Sequence, residues 1–117
     1  MNNCIFCDII MGNAPCTKLY EDDTYIAILD IHPFSEDHTL IIPKLHHASI
    51  IDIDDTVLGQ MFVVAKKVSK QLTLKNNKIE GFNYVQSDGE VAGQDVFHAH
   101  LHVIPRYKKD GLRIIAR

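Results

Sequence analysis

Several large protein classes are excluded by what this chain lacks. No stretch approaches the ~20 consecutive apolar residues that cross a bilayer, and the opening Met1-Asn2-Asn3-Cys4 has neither the basic start nor the apolar run of a secretory signal. Cytoplasmic residence without membrane association is the expectation. A general basic field is also missing, since 12 Lys and Arg stand against 15 Asp and Glu, for a net charge of −3. That balance argues against a sequence-independent hold on a nucleic-acid backbone, which depends on clustered cations. A small anionic ligand needs only local donors. Cysteine is scarce and its count of three is odd. In a reducing compartment the close pair Cys4 and Cys7 points to metal or redox chemistry rather than to a structural disulfide, and Cys16 is left over. There is no internal repeat, low-complexity tract or interdomain linker. With 117 residues, 46% apolar and 23% charged, the chain suits a single globular domain over residues 1–117.

What is present starts with a short turn or helical piece from Cys4 to Ile10, closed by Gly12 and stopped by Pro15. Lys18-Leu19-Tyr20 and Tyr25-Ile26-Ala27-Ile28-Leu29 flank the polar Glu21-Asp22-Asp23-Thr24 and predict an antiparallel hairpin. A loop from Asp30 to Asp37 leads to the continuously apolar Thr39-Leu40-Ile41-Ile42-Pro43, expected as a central strand. Asp52, Asp54 and Asp55 are acidic cap candidates for a helix from Asp55 to about Leu74. Its apolar positions, among them Met61, Ala65, Val68 and Leu72, keep helical spacing until Lys75-Asn76-Asn77-Lys78 breaks it. Gly81 to Gln86 alternates like a strand, Ser87 to Gln94 is a polar loop with two glycines, and Val96 to Ile104 is expected as a neighbouring strand. The tail from Arg106 to Arg117 is basic apart from Asp110. Strands on both sides of one long helix predict an α+β fold with an antiparallel sheet.

Chemistry concentrates in Phe97-His98-Ala99-His100-Leu101-His102-Val103-Ile104-Pro105. On a strand the three histidines share one face, roughly 6.7 Å apart, and Phe97, Ala99, Leu101 and Val103 share the other. Three imidazoles in register fit a metal site, or nucleophilic and acid-base work on one substrate. Cys4-x-x-Cys7 supplies half of a tetrahedral zinc site and needs two more nitrogen or sulfur ligands. A redox motif competes with that reading, although the surrounding pattern is not thioredoxin-like.

His98-Ala99-His100-Leu101-His102-Val103-Ile104 resembles the His-φ-His-φ-His-φ-φ signature of the histidine-triad (HIT) nucleotide-binding proteins. The blocks Cys4-Ile5-Phe6-Cys7, Tyr20-Glu21-Asp22, Leu29-Asp30-Ile31, His38 to Lys44 and Gly93-Gln94-Asp95-Val96-Phe97 are similar to the family's, in its order and spacing. The resemblance covers roughly residues 4–107 and is closer to the small dimeric phosphoramidase branch and its bacterial relatives than to longer members.

The resemblance implies an α+β HIT-like fold of about five antiparallel strands with one long amphipathic helix and a short N-terminal helix. It implies a hydrolase or nucleotidyltransferase acting at the α-phosphorus of a purine nucleotide or nucleotide conjugate. His100 falls at the nucleophile's position, and His102 at that of a group reaching the phosphate oxygens or leaving group. Asp30 matches the ribose-binding acid; Ile31, with Phe6 and Ile28, would line a base pocket; Gly93, Gln94 and Asp95 would cradle phosphate. The family usually has serine where this chain has Asp95, which favours the main chain and Gln94 over the Asp95 carboxylate. Structural zinc would be held by Cys4, Cys7, His46 and His98, with His46 preferred over His47 for its spacing from Pro43. Cys16, His32 and His38 read as structural, although His32 follows Asp30 closely enough to edge a pocket. A homodimer with the long helix near its interface is implied as well. Two alternatives stand beside this reading: a zinc hydrolase whose catalytic metal sits on all three strand histidines, and a nucleotide-binding adaptor with incidental hydrolysis.

Overall fold

The computed structural model describes residues 3–114. Five strands, β1 (Lys18–Glu21), β2 (Tyr25–Leu29), β3 (Thr39–Pro43), β4 (Ile79–Val85) and β5 (Leu101–Tyr107), form one sheet in the order β1-β2-β3-β5-β4. All four pairings are antiparallel. Helix α1 (Ile5–Ile10) precedes β1, and the long helix α2 (Asp55–Lys75) joins β3 to β4. No helix among the described residues is long and apolar enough to cross a membrane.

Strand alternation divides the core into two layers. Tyr25, Ala27, Ile41, Leu101 and Val103 meet Met61, Val64, Ala65, Val68 and Leu72 of α2. Ile26, Ile28, Leu40 and Ile42 point the other way, onto Phe6 and Cys4 at the N-terminus. β3 is buried along its whole length, as an apolar strand covered on both faces should be. The Asp54 carboxylate caps α2 by accepting from the N–H groups of Thr56 and Val57 at 3.1 and 3.3 Å.

Two expectations are corrected. The last strand begins at Leu101 rather than Val96 and runs on to Tyr107, so His98 and His100 lie in the irregular segment before it. Pro43 explains the late start: it ends β3, has no N–H, and its carbonyl is taken by the His98 ring at 2.7 Å. Ala99 N–H pairs instead with His47 O at 2.7 Å. Phe97, expected on the packing face, is half exposed. In the tail, Arg106 and Tyr107 complete β5, and the expectation for Ile115 to Arg117 falls outside the described residues.

Candidate active site and metal centre

The sheet face turned away from α2 carries the histidines. Phe6 packs edge-on against His98 and His100, with ring centroids 5.9 and 5.0 Å apart. Both histidines are buried, and His102 is half-buried.

The ring protons can be assigned from partners that only accept or only donate. A carbonyl only accepts, so His98 donates from Nε2 to Pro43 O at 2.7 Å and keeps a lone pair on Nδ1. His100 donates from Nδ1 to His98 O at 2.8 Å, which leaves the lone pair on its Nε2. A backbone N–H only donates, and Phe34 N–H gives to His38 Nδ1 at 3.0 Å. Neutral His38 therefore carries its proton on Nε2, which lies 3.0 Å from His102 Nδ1. His102 accepts there and holds its own proton on Nε2. Adjacent rings of the triad thus offer opposite functions, a lone pair on His100 and an N–H on His102, with centroids 4.9 Å apart.

Burial favours the neutral form of His38, His98 and His102. It is the largest cause that pushes His102 down to about 4, helped by the neighbouring His100 and His38 and opposed by Asp30 and Asp95. His38 is lowered for the same first reason, with the Asp30 carboxylate acting against it.

His102 forms one wall of a cavity of about 460 Å³ shared with Asp30, Ser87, Gly93, Asp95 and Arg113. That size suits a small organic ligand. Asp30 accepts from His32 N–H at 2.9 Å through Oδ1 and brings Oδ2 to 3.6 Å from His38 Nε2. Ile31 is 84% exposed, and Ile28 packs with Phe6 in the core. Gly93 turns the chain with φ of 100°, a left-handed conformation suited to glycine. The Gln94 side chain is fully engaged, accepting from Gly89 N–H at 2.7 Å and donating to Ala48 O and Val96 O at 2.7 and 3.1 Å. It braces the loop rather than reaching into the cavity. Asp95 is exposed on the cavity wall.

His38, read from the sequence as structural, is the residue whose place at the site the sequence did not disclose. It is 1% exposed and touches His102 directly. Its position at the mouth of the apolar β3, where a buried polar ring needs partners, was the available signal.

Cys4, Cys7, His46 and His98 converge separately. The Cys4 sulfur lies 3.4 Å from His98 Nδ1 and accepts from Cys7 N–H at 3.3 Å. Cys7 Sγ lies 3.2 Å from His46 Nδ1, and the two Nδ1 atoms are 3.2 Å apart. All four donor atoms fall within 4.8 Å of one another. One proton on His46 Nδ1 could serve only one of these acceptors, whereas a cation would satisfy all four. The Cys₂His₂ set suits zinc, and the His98 Nε2–H bond to Pro43 O fixes the ligating tautomer. His47 lines a different cavity, beside Asp54 and Val57. The three triad rings do not converge on one point: His98 belongs to this cluster, and His102 groups with Asp30 and His38.

The chain matches the HIT domain model over residues 11–109. It is 47% identical over 112 residues to a HIT-like protein of Borreliella burgdorferi, covering 95% of this chain and 81% of that one. It is 42% identical to the adenylylsulfatase HINT3 of Arabidopsis thaliana, covering 95% of this chain but 56% of the plant protein. A zinc-bound histidine triad family protein from Mycobacterium smegmatis superposes with a TM-score of 0.91 at 37% identity, covering 98% of this chain and 83% of that one. Sequence, fold and the placement of the triad agree, and the chain belongs to the HIT family.

Proposed function

We propose that the protein is a nucleotide hydrolase or nucleotidyltransferase acting at the α-phosphorus of a purine nucleoside 5′-phosphate derivative, phosphoramidates included. The observation that carries this reading is the pinned tautomer of His100, whose Nδ1–H is committed to His98 O at 2.8 Å. Its Nε2 is a nucleophile that needs no separate base. Attack forms an Nε2–P bond, and the P–X bond breaks with the leaving group taking the electron pair. The positive charge that develops on the His100 ring is stabilised by the His98 carbonyl. His102 Nε2–H donates to a phosphoryl oxygen or to the leaving group, and His38 holds its ring in that orientation. Water then attacks the phosphorus and gives up a proton to the solvent, the P–N bond breaks, and His100 regains its lone pair. Asp30 is placed to accept from ribose hydroxyls, and the loop at Gly93 and Asp95 to offer main-chain donors to phosphate. The hydrolase named among the relatives supports the reaction class.

Zinc is proposed as a structural ion on Cys4, Cys7, His46 and His98. It would tie α1 to the triad segment and supplies no group to the reaction. A homodimer is proposed through α2 and the edge strand β4, where Phe62, Leu74 and Tyr84 are exposed.

The test is His100→Ala. Turnover of adenosine 5′-phosphoramidate should fall at least about 10³-fold, AMP affinity should stay within a few-fold, and the adenylyl adduct found by mass spectrometry in the unaltered protein should vanish. Undiminished turnover by the variant sinks the mechanism.

A further inference from the structure

The nucleotide cavity is unusual in its charge. Asp30 and Asp95 both face it, and His102 on its wall is held neutral by burial. Among the described lining residues the one permanent cation is Arg113. It is exposed, and no carboxylate among the described residues stands within ion-pair distance of it.

Arg113 is also aimed. The preceding tail is locked by Arg106, whose guanidinium binds Asp110 through both carboxylate oxygens at 2.8 and 2.7 Å. The same group donates to Leu112 O at 2.6 Å and to Asn83 Oδ1 at 2.7 Å. Asp110 in turn accepts from the N–H groups of Tyr107 and Leu112, both at 3.0 Å. Lys109 and Gly111, with φ of 59° and 73°, make the turn that this knot closes. Residues 106–112 are thereby fixed to β5 and β4, and Arg113 follows directly, over the cavity.

We propose that Arg113 is a specificity residue that binds a negatively charged leaving group, so that the site takes nucleoside 5′-phosphates joined to a second anion, a sulfate or a phosphate. This rests on the reading of the cavity as the nucleotide site. Two carboxylates on the wall repel a polyanion, and the α-phosphate already has the His102 N–H and the loop. A further anionic group meets one full positive charge, and Arg113 carries it. A guanidinium matches tetrahedral oxyanions through two parallel donors, which lysine cannot reproduce.

The test compares three substrates in the full chain and in Arg113→Ala and Arg113→Lys. Adenosine 5′-phosphosulfate and ADP carry an anionic leaving group; adenosine 5′-phosphoramidate carries an uncharged one. Arg113→Ala should lower kcat/KM roughly tenfold for one or both anionic substrates and leave the phosphoramidate within about twofold, with Arg113→Lys recovering part of the loss. Whether the sulfate or the diphosphate is more affected identifies the preferred anion. Equal losses on all three substrates, or none on any, overturn the proposal. Binding of phosphosulfate and AMP, measured by calorimetry in a His100→Ala background with and without Arg113→Ala, separates the two readings. If the unaltered protein turns over none of the substrates, the hydrolase reading fails. A selective loss of phosphosulfate affinity would then still support Arg113 as the anion site, and parallel affinities would overturn it.

Discussion

In the Cys4–Cys7–His46–His98 cluster two imidazole Nδ1 atoms face each other at 3.2 Å, whereas in the Asp30–His38–His102 cluster an Nε2 faces an Nδ1 at 3.0 Å. The difference lies in where each ring's other nitrogen is committed. His98 has given its proton to Pro43 O, and its Nδ1 turns a bare lone pair towards two sulfurs and a second ring. His38 has accepted from Phe34 N–H, and its Nε2–H satisfies His102 outright. The first arrangement would be completed by a cation, and the second is completed by a proton. For His98, His38 and His100 the second-nitrogen partner is a backbone group, and it fixes which nitrogen of each ring is left to ligate or to take part in chemistry.

The largest effect that would break this contrast is metal removal. Stripping zinc with a chelator should lower stability by about 4 kcal/mol where free zinc stands roughly a thousandfold above its dissociation constant. Calorimetric melting with and without added zinc reads the difference. Cys7→Ser should abolish the zinc response, and His38→Ala should retain it. Identical melting of the unaltered protein with and without zinc would remove the reason for treating the clusters as different.

Acid offers the next test. His102 is depressed to about 4, first by burial, against an ordinary value near 6.5. Between those values the unfolded chain binds the proton and the folded chain does not, so stability falls as pH drops from ~6.5 to ~4. Above that window the contribution is fully present; below it, the loss is complete, up to about 3 kcal/mol from this group. Urea denaturation at pH 7 and pH 5 should show a smaller drop in His102→Gln than in the unaltered protein. Equal drops would mean that the His38–His102 contact is not held by neutral rings.

Much of this was legible in the residues. β3 and β2 lie where their apolar runs place them, and α2 starts and stops at Asp54 and Asn76, the cap and the breaker. The shared face of the triad was read from its alternation, and alternation alone could not reveal that pairing begins only at Leu101. That boundary depends on Pro43, which lies 58 positions before Leu101 in the chain (101 − 43). The signal at His38 was too weak to place it for a related reason. An isolated histidine before a strand is ordinary, and only the β3–β5 register, which sets Leu40 opposite His102, brings its ring to the site. The bracing role of the Gln94 side chain was not legible either, because a glutamine beside a glycine turn gives no hint of its three partners in the loop.

Those partners also join the segment that carries His46 to the loop that borders the cavity, which gives the smallest and most discriminating prediction. The segment from His46 to Ile50 supplies a metal-cluster ring, then His47 O to Ala99 N–H and Ala48 O to Gln94, then Ser49 and Ile50 to the Asp88 carboxylate at 2.8 and 2.9 Å. One short stretch therefore positions both the metal centre and the loop that borders the cavity. Gln94→Ala deletes the loop's brace and leaves Ala48 O and Gly89 N–H without that partner, a cost of roughly 1–3 kcal/mol. Because none of the four metal-cluster atoms is touched, zinc stoichiometry should stay at that of the unaltered protein while KM rises and kcat changes less. If zinc content falls with Gln94→Ala, the metal cluster depends on the cavity loop, and the two are one cooperative unit rather than two devices on a common strut.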